Sequence, residues 1–153
     1  MKILFVTAAK GLDYLADCVF HGLVSSGHQV VDSRYLWYLS PITAEQKMRL
    51  YGRGFTISGL LPDRSSIDRS DLPRKIQDRE FDVIVYGSIH RCADYLDLVI
   101  KTYPRNRIIF LDGEDEPIHS GTDTLVQLLD KGIYFKRELK DSRTLPISFS
   151  FPE

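Results

Sequence analysis

Short runs of buried-type residues alternate with helix-type patterns along the chain. Runs rich in β-branched and aromatic residues predict strands at 2–7, 29–32, 81–86, 107–111 and 133–135. Between them, apolar residues recur at spacings of three and four, which is the pattern of an amphipathic helix. These helices are predicted at 12–26, 43–51, 72–79, 92–103 and 122–131. The alternation indicates an α/β fold: a Rossmann-like three-layer α/β/α sandwich with a mainly parallel sheet of about five strands.

The segment 33–73 departs from this alternation. Thr43 can cap a short helix within it, but glycines and Pro62 interrupt any longer regular element. We predict a long, irregular surface excursion within a single domain that spans 1–153. Long connections in compact domains are usually functional or mobile. At the other end of the chain, residues 146–151 are predicted to be an extended tail.

Composition limits the function classes. The chain has 153 residues, 43% of them hydrophobic, which is enough to bury a core without disulfides. Its formal net charge is -1, and basic residues in the middle of the chain are interleaved with acidic ones. The interleaved residues are Arg64, Arg69, Arg74 and Lys75 with Asp63, Asp68, Asp71 and Asp78. A nucleic-acid binder usually has a basic excess or a basic stripe, so we expect no nucleic-acid partner.

The cysteines and the amino terminus bear on disulfide bonds, metal binding and cellular location. Cys18 and Cys92 are too few for a disulfide framework and lack metal-ligand spacing, so we predict buried thiols on helices and expect neither a metal nor a cofactor. The apolar run at 1–6 is too short for a signal peptide or a membrane span. We therefore predict a cytoplasmic protein without a membrane span.

Polar residues follow the predicted strands at their carboxyl ends, where open parallel sheets bind ligands. The candidate ligand-binding residues are Thr7, Lys10, Gly11, Ser88, His90, Arg91, Asp112 and Glu114. His90, Asp112 and Glu114 are also candidate catalytic residues, because imidazole and carboxylate groups can act as general bases. Residues 7–11 lack both the Gly-x-Gly-x-x-Gly pattern and a Walker pair, which disfavours a dinucleotide or nucleoside triphosphate. We expect the candidates to line one shared crevice.

Each of these features also has a purely structural interpretation. Acidic residues within 112–116 could hold a divalent ion or a sugar hydroxyl, or form a solvated loop that caps the next helix. His90 beside Arg91 suits an anionic or hydroxylated ligand, or a local hydrogen bond at a helix start. Small residues at 8–11 could admit a ligand to a helix amino terminus, or simply permit a tight turn. The residue types alone leave these alternatives open.

Five segments in chain order carry a family resemblance. They are MKILFV at 1–6, FDVIVYGS at 81–88, RIIFLDGED at 107–115, YFKREL at 134–139 and PISFSFP at 146–152. Together they resemble the amino-terminal domain of GT-B glycosyltransferases, in the branch that includes the spore-maturation-type enzymes. The last two segments are the most specific and resemble that domain's final strand and its exit toward a second domain.

The resemblance implies a role on the acceptor side of sugar transfer. In GT-B enzymes the nucleotide-sugar is held mainly by the second domain, and this chain ends at Glu153, about where the linker to that domain would begin. We therefore expect a glycosyltransferase-like domain for hexosyl transfer, with an acceptor pocket for a sugar or another small molecule. A partner domain or subunit would supply the donor site. The alternative is a non-catalytic module that keeps the fold and binds a small ligand or a protein.

Overall fold

The sheet is parallel throughout the part of the chain that is described. The computed structural model describes residues 1–8, 12–50, 57–115, 127–138 and 142–147. Its strands are β1 (Lys2–Val6), β2 (Gln29–Asp32), β3 (Val83–Tyr86), β4 (Ile108–Asp112), β5 (Ile133–Lys136) and β6 (Leu145–Pro146). They pair in parallel in the order β2-β1-β3-β4-β5-β6. The predicted α/β fold is confirmed, and β6 adds a sixth strand where an extended tail was predicted to begin.

In the described ranges, four α-helices connect or flank these strands. They are α1 (Tyr14–Ser25), α2 (Ala44–Arg49), α3 (Leu72–Gln77) and α4 (Leu96–Thr102). Asp13 caps α1 by accepting a hydrogen bond from the backbone N–H of Ala16 at 3.0 Å. As the sequence predicts, Thr43 caps α2, and it forms a reciprocal capping box with Gln46.

Alternate residues of β1 to β5 pack into two separate cores, one on each face of the sheet. From β1, Leu4 and Val6 join a core that also contains residues of α3 and α4. Ile3 and Phe5 point to the other face and join a core with α1. Helices therefore cover both faces, and this arrangement is the predicted three-layer sandwich.

The middle segment lies partly at the surface, as predicted for the stretch after Pro62, and partly in the core. Within 33–73, five residues are buried in the core on the α1 face, namely Leu36, Tyr38, Leu39, Ile57 and Leu61. The segment is fixed by Asp32, which accepts hydrogen bonds from Arg64 at 3.3 Å and Arg69 at 2.9 Å. Arg64 also donates to the backbone oxygen of Val30. Two charged side chains of this stretch, Arg64 and Arg69, thus hold the segment against β2.

Two predicted helices differ in the structure. The helix predicted at 92–103 begins only at Leu96, because residues 87–91 form turns and Tyr95 has a left-handed φ of 62°. Cys92 is buried but precedes this helix, so the prediction that it lies on a helix is wrong. Of the helix predicted at 122–131, only 127–131 is described, and it begins with a short 3-10 turn.

Candidate functional site

The carboxyl ends of β1 and β3 mark the point where the strand order reverses. From β1 the sheet continues to β2 on one side, and from β3 it continues to β4 on the other. Connections from the two strands therefore leave to opposite faces, which opens a crevice at this edge of the sheet. Two glycines allow close packing here. A Cβ atom at Gly87 would overlap the ring of Phe5, and one at Gly113 would lie 3.2 Å from Cδ2 of Leu15.

A polar crevice of about 320 Å³ lies at this edge. Its walls come from the start of α1, the turn after β3, the loop after β4 and the end of β5. The lining residues are Leu12, Asp13, Tyr14, Leu15, His90, Arg91, Gly113, Glu114, Asp115 and Arg137. We refer to it below as the polar crevice. Three of the predicted residues, His90, Arg91 and Glu114, are on its wall.

His90 is surrounded by three of the other candidates. Its Nε2 lies 2.5 Å from Oε1 of Glu114 and 3.2 Å from Oγ of Ser88. Its Nδ1 lies 3.6 Å from Oδ1 of Asp112, and this buried nitrogen makes no hydrogen bond within the described residues. Ser88 is only 4% exposed and does not line the crevice. These four residues therefore lie together at one edge of the sheet, but the prediction that they line one shared crevice is wrong for Ser88 and Asp112, which are buried behind its wall.

Asp112 forms a buried floor beneath His90. Its carboxylate accepts hydrogen bonds from the Tyr134 hydroxyl at 2.8 Å, from Nζ of Lys136 at 3.0 Å and from the backbone N–H of Glu114 at 3.0 Å. The side chains of Asp112 and Lys136 are 1% and 2% exposed. Asp112 therefore acts on a ligand only through His90 and the loop it holds, and it is a positioning residue.

Two arginines line the wall of the polar crevice. Nη1 of Arg91 lies 3.3 Å from Oδ2 of Asp13, and its Nη2 lies 3.7 Å from Oε1 of Glu114. Arg137 forms an ion pair with Asp115. Carboxylates and guanidinium groups thus alternate along the wall, which can accept hydrogen bonds from a ligand and donate to it.

Several of these site residues were absent from the predicted set. Asp13 and Arg137 line the crevice, and Lys136 neutralises Asp112. One signal was available in the sequence, because a lysine that ends an otherwise apolar strand needs a buried partner. Asp13 caps α1 and also contacts Arg91, and no sequence pattern predicts this second contact.

Of the three candidates after β1, only Thr7 is among the described residues, and it does not line the crevice. Thr7 is buried, and its backbone N–H donates to Oγ of Ser33 at 3.0 Å. Lys10 and Gly11 lie outside the described residues. The local role of Thr7 is to join the end of β1 to the end of β2.

A buried acid lies behind the wall formed by α1. Asp17 is 3% exposed and accepts hydrogen bonds from the Tyr38 hydroxyl at 2.7 Å and from the backbone N–H of Asp13 at 3.3 Å. Burial raises the pKa of Asp17 from 3.8 to about 7, although the Tyr38 hydrogen bond opposes the shift. The first turn of α1 therefore contains a carboxyl group that titrates near neutral pH.

A second crevice, of about 430 Å³, lies between α4 and residues 127–131. His90 is on its rim, but most of its lining is apolar and no other predicted candidate reaches it. The polar crevice, which holds three of the predicted residues, is therefore the candidate site.

Known proteins provide no further assignment. Comparison of the chain with protein families, with curated proteins and with solved structures gives no match. Within the described ranges, no group of three or more His, Cys, Asp or Glu side chains could hold a metal ion. Nor does this part of the chain contain a helix long and apolar enough to cross a membrane. The resemblance to glycosyltransferases stays a prediction.

Proposed function

We propose that the polar crevice binds a small hydroxylated ligand of the sugar class, as the acceptor side of a sugar-transfer site. The observation that carries this proposal is the position of His90, on the crevice wall and between the carboxylates of Glu114 and Asp112. The crevice volume of about 320 Å³ falls at the lower end of the range for small-molecule sites. This size suits a single sugar ring.

The chemistry proposed for His90 is general-base catalysis. A proton on Nδ1 faces Asp112, and Nε2 is then the basic nitrogen once the Glu114 side chain moves aside. Nε2 takes the proton of an acceptor hydroxyl while that oxygen forms a bond to the anomeric carbon of the donor sugar. The bond from this carbon to the nucleotide breaks, and the nucleotide leaves with the electron pair. A second domain or subunit holds the donor in this proposal.

A binding experiment tests the ligand class. Ligand-observed NMR with glucose, galactose and N-acetylglucosamine should detect binding to the whole chain. His90→Ala should weaken it by about 5- to 150-fold, which corresponds to leaving a ligand hydrogen bond unsatisfied at about 1–3 kcal/mol. His21→Ala is the matched control, because His21 lies on α1 outside the crevice lining. Absence of binding for the whole panel would contradict the proposal.

The alternative is a non-catalytic binding module, and one observation favours it. Glu114 lies 2.5 Å from Nε2 of His90, so the basic nitrogen is occupied in this arrangement. Incubation with nucleotide-sugars and a bound acceptor separates the two functions. The chain alone should turn over more slowly than about one event per second, because the donor site is assigned to a partner. Slow transfer that requires His90 supports catalysis, whereas transfer that is unchanged in His90→Ala contradicts the role of His90 as general base.

A further inference from the structure

We infer that the ligand of the polar crevice carries a carboxylate beside its hydroxyl groups, and that the Glu114 side chain occupies the place of that carboxylate. The inference rests on the proposed function and specifies its ligand class. Uronic acids and other hydroxy acids have this chemistry.

The first argument is the position of the Glu114 carboxylate. Its Oε1 lies 2.5 Å from Nε2 of His90 and 3.7 Å from Nη2 of Arg91. One carboxylate oxygen thus bridges an imidazole and a guanidinium on the crevice wall. Guanidinium groups match carboxylates in geometry as well as in charge. Arg91 can bind a ligand carboxylate in the same way, and Nε2 of His90 is then available to a neighbouring hydroxyl of the same ligand.

The second argument is that Glu114 can leave at low cost. Its side chain is 48% exposed, and its partner Arg91 is 44% exposed. Ion pairs this exposed contribute little to stability, because solvent screens them. Arg91 would keep its contact of 3.3 Å with Asp13 after the exchange. By contrast, Asp112 is 1% exposed and bound to Lys136, so it cannot be displaced.

The third argument is charge balance along the wall. The carboxylates of Asp13, Glu114 and Asp115 line the crevice together with the guanidinium groups of Arg91 and Arg137. A ligand carboxylate that takes the place of the Glu114 side chain, which then turns to solvent, keeps one negative charge at Arg91. A phosphate dianion would bring a second negative charge to a wall that already carries Asp13 and Asp115, which is unfavourable. The wall therefore favours a carboxylate over a phosphate.

Comparing the affinities of two sugars tests the contribution of the ligand carboxylate. D-Glucuronate and D-glucose share a ring and differ at carbon 6, and calorimetric titration of each gives its affinity. We expect glucuronate to bind the unmodified chain about fivefold more tightly than glucose, the equivalent of about 1 kcal/mol. Glu114→Ala removes the internal competitor and should tighten glucuronate binding about three- to tenfold, which is more than any gain in glucose binding. The control is Glu45→Ala, an exposed glutamate on α2, which should change neither affinity.

The direction of the Glu114→Ala effect decides the outcome. Weaker glucuronate binding in this variant would mean that Glu114 contacts the ligand, and it would overturn the inference. Equal affinities of the unmodified chain for glucuronate and glucose would also overturn it, while leaving the proposed function intact. If neither sugar binds, both ideas fail together. Because the Glu114 side chain is half exposed, thermal unfolding should confirm that the variant remains folded.

Discussion

Asp112→Asn tests whether a buried ion pair supports the candidate site. The substitution preserves the shape of the side chain and its ability to accept a hydrogen bond from Tyr134. It removes the negative charge from a group that is 1% exposed, 3.0 Å from Nζ of Lys136. The Lys136 side chain is 2% exposed, so its ammonium group would remain buried without a counterion. Removing one partner of such a pair costs about 3–5 kcal/mol of unfolding free energy.

A double-mutant cycle separates the ion pair from other effects of the substitution. Lys136→Met removes the positive charge and keeps a side chain of similar length. Removing both charges eliminates the unpaired ion, so the double variant should lose less stability than the sum of the losses in the two single variants. We expect a coupling free energy of about 2 kcal/mol, within the range for residues in direct contact. Asp130→Asn, at an exposed position, is the control.

Urea unfolding followed by circular dichroism measures each free energy. In a chain of 153 residues, a loss of 3–5 kcal/mol should lower Tm by about 6–20 °C. A loss below about 1 kcal/mol for Asp112→Asn would refute the reasoning. So would a double variant that shows the sum of the two single effects, because the two groups would then not interact.

Three further substitutions test other parts of the structure. Burial raises the pKa of Asp17 from 3.8 to about 7, so the free energy of unfolding should fall as pH rises between these values. Asp17→Asn should abolish a fall of about 3 kcal/mol between pH 5 and pH 8, measured by urea unfolding at both pH values. If the free energy of unfolding of Asp17→Asn falls between pH 5 and pH 8 as much as that of the unmodified chain, the prediction is contradicted. Gly87→Ala should cost about 1–3 kcal/mol, because the added methyl group overlaps the Phe5 ring; an unchanged Tm would count against it. Arg69→Met should cost about 1–3 kcal/mol, because it removes hydrogen bonds to the buried carboxylate of Asp32, and limited proteolysis should show faster cleavage within 57–72.

Much of the fold could be predicted because strand and helix patterns are local. The run 29–32 coincides with β2, and 2–7 and 133–135 differ from β1 and β5 by one residue at one end. Parallel pairing follows from the alternation with helices, since two parallel neighbours need a crossover connection. Turns were predicted less well, and α4 begins late because the backbone at Tyr95 is left-handed, which no spacing of apolar residues reveals.

Part of the candidate site could also be predicted. The general rule that ligands bind at the carboxyl ends of parallel strands selected Ser88, His90, Asp112 and Glu114, which do converge. The rule depends only on strand direction, so a single sequence can supply it. The rule does not distinguish residues that line the crevice from residues buried beneath it. It therefore could not show that His90 and Glu114 are accessible while Asp112 is buried.

The sequence by itself determined the elements, their parallel direction and the polar character of one sheet edge, because each depends on residues close together in the chain. The tertiary structure determined which side chains contact each other. Asp112 meets Lys136 across 24 positions, Asp32 meets Arg69 across 37, and Arg91 reaches the backbone oxygen of Leu12 across 79. Such pairs form only after the strand order is fixed. Burial in the assembled sheet removes water from a charged side chain, which is then stable only beside an opposite charge or a hydrogen-bond partner.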